Sequence, residues 1–200
     1  MLRVRAAHGM ANQRDAPCSL YARLMGSSWL QVAEPVRAAH AAGSTVRAHG
    51  RFRIEQGDSY PARLLARLLR LPRPGAAADT RLVVTPADDG EQWRRTFDDR
   101  RLDTRQYEAG DGELAERIGF LEFRFRLEAT NGSLRFRQLD AALLFGPIRM
   151  RLPSAWAPTV EAREDPAPAN QVRVHVRIAL PAVGTVLTYA GTMDIETTRA

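Results

Sequence analysis

Three stretches of this chain alternate apolar and polar residues with a period of two, and that pattern restricts the folds open to it. In the first, Val46, Ala48, Gly50, Phe52 and Ile54 alternate with Arg47, His49, Arg51, Arg53 and Glu55. In the second, Leu121, Phe123, Phe125 and Leu127 alternate with Glu122, Arg124, Arg126 and Glu128. In the third, Val172, Val174, Val176, Ile178 and Leu180 share one face. A period of two puts all apolar side chains of a segment on one side of a strand, whereas a helix would scatter them around its axis. Each stretch therefore reads as a long strand with one buried face.

Turn chemistry joins these strands in an antiparallel order. Asp88-Asp89-Gly90 and Asn131-Gly132 are hairpin signals, because such residues accept the positive φ that tight turns need. Gly146-Pro147 and Gly184 mark further turns. Shorter strands read over 81–85, 92–98 with a continuation at 101–107, 148–152, 160–164 and 186–195. A strand over 134–144 slips its alternation near Gln138-Leu139, as a bulge does. Residues 108–113 read as a Gly/Asp loop.

Helical signals are confined to the first third. Ser19 is placed to cap Leu20 to Met25, with Gly26 as the stop, and a second piece opens at Ser28, breaks at Pro35 and resumes to Ala42. Asp58 or Ser59 caps a helix from Tyr60 whose leucines, Leu64, Leu65, Leu68, Leu69 and Leu71, recur at helical spacing before Pro72 and Pro74. The expectation is a single α+β domain over residues 19–196, with a disordered lead-in at 1–18 (Met10 being an alternative start) and a tail at 197–200. Its core is a strongly curved antiparallel sheet, half-barrel or barrel-like, of about eight strands, with two or three N-terminal helices. The Leu64–Leu71 helix and the sheet are expected to enclose an apolar pocket.

The positive charge consists of arginine alone: 29 basic residues, no lysine and a net charge of +6. It is unevenly spread, at +8 over residues 1–75, −5 over 76–116 and +3 over 117–200. An acidic middle that folds back on basic flanks weakens any argument from net charge to nucleic acid. Nine strand arginines, from Arg47 to Arg177, lie on polar faces, while Phe52, Phe123, Phe125 and Phe136 fall on the apolar faces. Single-strand binders need those aromatics exposed beside the basic residues, so nucleic acid is an unfavoured partner.

Chemistry-bearing motifs are sparse. There is no glycine-rich phosphate or dinucleotide loop, no His-Glu-x-x-His and no Gly-x-Ser-x-Gly. His8, His40, His49 and His175 are far apart in sequence, and neither a metal nor a cofactor is expected. The single cysteine, Cys18, excludes a disulfide framework; it reads as an inert thiol and accords with the cytoplasm. No run of 18 apolar residues exists to form a membrane-spanning helix. The sharpest feature is Arg95, on the same inward face as Trp93 and Phe97. An arginine there needs a carboxylate or meets an anionic ligand. Glu161 is a candidate partner, with Tyr107 and Trp156 as candidate neighbours, so these six residues form the candidate ligand site.

The stretches Leu20-Tyr-Ala-Arg-Leu-Met-Gly26, Gly50-Arg-Phe-Arg-Ile-Glu55, Arg63-Leu-Leu-Ala-Arg-Leu-Leu69, Trp93-Arg-Arg-Thr-Phe97 and Leu152-Pro153, followed by Val160-Glu-Ala-Arg-Glu164, occur in that order. In them the chain resembles, over roughly residues 19–196, a bacterial domain family of unknown function. The resemblance carries no activity. Members are sometimes fused behind a saccharopine-dehydrogenase-like NAD(P)-binding domain, which implies an oxidoreductase partner. The reading that follows is a non-catalytic binding module for an apolar or lipid-like ligand with an anionic group. Two alternatives stand beside it: an accessory domain of a separately encoded NAD(P)-dependent oxidoreductase, and weak binding of nucleic acid or an anionic surface through the arginine-rich sheet face.

Overall fold

The computed structural model describes residues 19–41 and 43–198. The lead-in at 1–18, with Cys18 and His8, and the last residues of the tail lie outside the described residues. Residues 19–41 form two short helices, α1 (Leu20–Met25) and α2 (Glu34–Ala38), linked by a 3-10 turn at Gly26–Gln31. Ser19 caps α1 by accepting from the Ala22 amide at 3.1 Å. Gly26 ends it with a φ of 56°. Pro35 does not interrupt a helix as expected; it sits in the first turn of α2, where its missing N–H costs nothing.

Eleven strands follow: β1 (Thr45–Gln56), β2 (Gly75–Ala87), β3 (Gly90–Phe97), β4 (Arg100–Glu108), β5 (Leu114–Ile118), β6 (Leu121–Thr130), β7 (Ser133–Phe145), β8 (Ile148–Arg151), β9 (Thr159–Ala167), β10 (Gln171–Leu180) and β11 (Gly184–Thr198). They form one sheet in the order β6-β5-β4-β3-β2-β1-β11-β10-β9-β7-β8, and β6 also pairs with β7. That pairing closes a 10-strand barrel, with β8 attached outside the ring. The expectation of about eight strands was short because β3 and β4 read as one strand with a continuation and β5 does not read as a strand at all. Its inward positions are Leu114, Glu116 and Ile118, so a carboxylate breaks the apolar alternation. Its turn to β6 is only Gly119 (φ 59°) and Phe120. The Asn131-Gly132 hairpin has positive φ at both residues, 51° and 81°. The bulge at Gln138-Leu139 is present: Arg124 pairs with Asp140 and Phe125 with Gln138.

The barrel puts its apolar faces inside, with Phe52, Trp93, Phe97, Phe123, Phe125 and Phe136 all buried. Phe52 lies across Gly191 of β11, where a Cβ would come within 2.6 Å of the ring. Apart from Arg95, the strand arginines named above point outward around the wall, many of them paired, as Arg53 is with Glu55, Arg137 with Glu128 and Arg177 with Glu161. Among the described residues no helix is long and apolar enough to cross a membrane. The charged outer wall is the inverse of a lipid-facing barrel's.

The two ends of the barrel differ. At one end, α1 and α2 fill the mouth: Tyr21 and Val36 are fully buried, and the Ala33 amide donates to the Gly132 carbonyl at 2.9 Å. At the other end lies α3 (Tyr60–Leu68), capped by Ser59 and set against β1 and β11. Its leucines do not close the pocket, contrary to expectation: Leu64, Leu68 and Leu69 are 45%, 69% and 51% exposed. The buried side of the helix is Ala62 and Ala66, whose small size lets it lie close over Gly57. The pocket is formed by the barrel wall and by the N-terminal plug.

Candidate functional site

Ten curved strands cannot be filled completely by their own side chains, and a cavity of about 80 Å³ remains inside. A single water needs roughly 10–15 Å³ on this scale, so there is room for several waters or a slender apolar molecule. The walls are mostly aromatic and aliphatic, with Phe97, Phe123, Phe125, Val174, Val176 and Ile178 among them. Near the plug the inward residues are sealed, as at Leu114, Leu134 and Val172. Near α3, inward-facing Leu102, Ile118, Val160, Val176 and Ile178 are only partly buried. The cavity therefore opens toward the α3 end.

Arg95 projects from β3 into this apolar space. Its Nη1 donates to Thr104 Oγ1 at 2.9 Å and lies 3.3 Å from Glu116 Oε1, and its guanidinium carbon lies 4.9 Å from the Trp93 ring centroid. Both hydrogen bonds leave from Nη1, so Nε and Nη2 have no partner among the described residues. Arg95 and Glu116 keep 16% and 15% of their side-chain surface accessible, and both line the cavity. Burial works against the charge on Arg95, but Glu116 together with Tyr189, Tyr21 and Glu164 outweighs it and holds the guanidinium pKa above its usual value. Tyr189, tilted against Phe97 with ring centroids 5.1 Å apart, is pushed up to about 12 by burial and stays a neutral phenol.

A second polar group forms where the plug meets the barrel. His40 Nε2 and Glu164 Oε2 share a hydrogen bond of 2.7 Å, and the imidazole lies between Tyr21 and Trp93, with centroids 3.7 and 5.4 Å away. Tyr21 Oη donates to Gln106 Oε1 at 2.5 Å, and Trp93 Nε1 donates to Glu91 Oε2 at 3.0 Å. Burial raises the Tyr21 phenol well above its usual pKa and raises that of the Glu91 carboxyl. His40 Nδ1 is buried with no partner among the described residues. This cluster fastens the plug, because the His40–Glu164 and Tyr21–Gln106 bonds join residues far apart in sequence and unpaired polar groups here would be costly.

Of the six candidate site residues, Arg95, Trp93 and Phe97 come together in the interior. Tyr107, Trp156 and Glu161 do not join them. Tyr107 is on the outer face of β4 and hydrogen-bonds the nearly buried Glu122, which also binds Arg149 and Arg124. Trp156 is 76% exposed in the loop after β8. Glu161 faces outward and pairs with Arg177. The acid partner of Arg95 is Glu116, missed because β5 itself was missed. His40 and Glu164 carried no spacing signal, since 124 residues separate them. Among the described residues no group of three or more His, Cys, Asp or Glu side chains is placed to hold a metal ion.

The chain matches the family described as a domain of unknown function, DUF4166, over residues 32–193. It belongs to that family. The matched span contains α2, α3, every strand through β10 and most of β11. Arg95, Glu116, His40 and Glu164 therefore all fall inside the DUF4166 region, whereas Tyr21 precedes it. No curated protein and no solved structure matches the chain.

The DUF4166 barrel has one weak seam. β7 and β9 pair only from Leu134–Glu164 to Phe136–Ala162, after which the bulged β7 pairs with β8 instead. One side chain bridges the gap: Gln138 Nε2 donates to the Pro158 carbonyl at 2.8 Å, and its Oε1 accepts from the Val160 amide at 2.6 Å. An outer groove of about 700 Å³ runs along this seam and shares Phe136, Val160, Ala162 and Arg163 with the cavity lining.

Proposed function

We propose that the barrel is a non-catalytic binding module for a slender, lipid-like molecule whose acidic or oxygen-bearing group meets Arg95. One observation carries this reading: a guanidinium lining an apolar cavity, with its Nε and Nη2 donors without a partner among the described residues. Those two donors lie on one edge of the planar fork, the geometry that takes two oxygens of a carboxylate. Glu116 already balances the charge of Arg95, so the site suits a ligand with one acidic group in either protonation state rather than a polyanion. An apolar body in the aromatic half of the cavity supplies the affinity, and the polar contact fixes orientation.

Native mass spectrometry of the intact purified protein tests this reading. The expected result is a co-purified mass that dissociates on denaturation, or uptake of a long-chain fatty acid by protein isolated empty. Protein that carries no such mass and takes up no fatty acid overturns it.

A further inference from the structure

The cavity opens at the end of the barrel that carries the most exposed apolar surface. On one side of that mouth, Tyr60, Leu64 and Leu68 recur every four residues along α3 and are 74%, 45% and 69% exposed. On the other side are Phe120 in the β5–β6 turn and Phe145 and Ile148 in the β7–β8 turn, at 56%, 56% and 64%. The Leu144 amide donates to the Phe120 carbonyl at 2.8 Å, so these two turns form one corner. In the closed ring of ten, β5 and β6 stand opposite β11 and β1, so the corner at the β5–β6 turn faces α3, which lies against β1 and β11, across the mouth.

The charge carried by the α3 segment itself is of one sign, although at the same end the β3–β4 turn carries Asp98 and Asp99, the latter 3.7 Å from Arg73. From Ser59 to Ala78 the chain has Arg63, Arg67, Arg70 and Arg73 and no acidic residue. Arg63, Arg67 and Arg70 are exposed. A short helix with leucines on its open face and arginines along its flank has the make-up of an interfacial helix, which buries its apolar side at the headgroup boundary while its cations meet anionic lipid. A partner with a compact contact surface would engage either α3 or the opposite corner. A flat, extended surface engages both and leaves the cavity mouth facing it.

We propose that the α3 end of the barrel docks on an anionic lipid bilayer, with the Tyr60–Leu64–Leu68 stripe and the Phe120–Phe145–Ile148 corner entering the interface. Docked in this way, the barrel passes an apolar ligand between bilayer and cavity without exposing it to water. That consequence rests on the proposed binding of a lipid-like molecule, whereas the docking itself does not.

Co-sedimentation of the full chain with phosphatidylcholine vesicles, with and without phosphatidylglycerol, tests the docking. The expected result is binding only when phosphatidylglycerol is present. Binding should be lost in L64E/L68E and in F145E/I148E, and weakened about thirtyfold in R63Q/R67Q, at about 1 kcal/mol for each arginine. L30E, which alters a leucine 74% exposed at the plugged end, should bind like the parent. All these positions are exposed, and circular dichroism melts confirm that each variant is folded. No binding to phosphatidylglycerol vesicles overturns the proposal, as does binding that L64E/L68E leaves unchanged. A concentration-dependent dimer that L64E abolishes also overturns it, since a second copy would then cover this face. Vesicle binding by protein that holds no ligand would sink the proposed function and leave the docking standing.

Discussion

The ion pair inside the barrel can be tested by removing each partner separately and then both together. At 3.3 Å, Arg95 and Glu116 attract each other by about 5 kcal/mol at an effective dielectric near 20, and desolvation of the two charges offsets much of this. In E116L the guanidinium keeps the Thr104 hydrogen bond and the Trp93 ring but no carboxylate in an apolar space. Stranding one member of a buried pair costs about 3–5 kcal/mol. The lower end applies here, because the contact is through one nitrogen and both side chains retain some access to the cavity. For a chain of this size, about 3 kcal/mol lowers Tm by about 6–12 °C. R95M strands Glu116 in the same way and should cost a similar amount. The double variant R95M/E116L leaves neither charge and should return to within about 1 kcal/mol of the parent. Urea unfolding of the four proteins, followed by tryptophan fluorescence, measures the cycle. Penalties that simply add in the double variant would refute the coupling, and so would an E116L protein within about 0.5 kcal/mol of the parent.

Other outcomes follow from the same geometry. Q138A removes both bridges across the β7–β9 seam and should cost about 1–3 kcal/mol, with faster amide exchange at Val160 as the local readout. G191A drives a methyl group into the Phe52 ring and the Arg51 carbonyl and should cost about 1–3 kcal/mol by thermal melt. Burial works to raise the Glu122 pKa, but hydrogen bonds from Tyr107 and Arg149 hold it below the usual carboxylate value of 4.5. Its stabilisation is therefore complete above that pH and lost as the pH falls through the lower folded pKa, so E122Q should flatten the acid limb of a stability–pH curve. Tyr189 has the opposite sign. Its folded pKa of about 12 means stability is lost as the pH rises from 10 toward 12, and Y189F should reduce that alkaline loss.

Much of the wall was legible because burial in a strand leaves a period-two trace. The long strands β1, β6 and β10, the Asn131-Gly132 hairpin and the bulge at Gln138-Leu139 all stand where the alternation and turn residues put them. The placement of Arg95, Trp93 and Phe97 on the inside follows from the same rule. What failed was local reasoning about polar residues on inward faces. Glu116 disguised β5, and the arginine it neutralises was consequently matched with Glu161, which the barrel turns outward.

The sequence by itself determined which side of each long strand is apolar, where the main turns fall, and that Arg95 shares a face with Trp93 and Phe97. Those properties are written in spacing and in φ preferences, which act over a few residues. Only the tertiary structure decided that the sheet closes, since the ring needs β1 to pair with β11 and β7 with β9, strands that no turn in the sequence joins. Only it decided that residues 19–41 plug one mouth through His40–Glu164 and Tyr21–Gln106, and that the leucines of α3 stay outside. Those outcomes depend on groups about 80 to 120 residues apart. A helical leucine stripe looks the same in sequence whether a core or a second surface covers it.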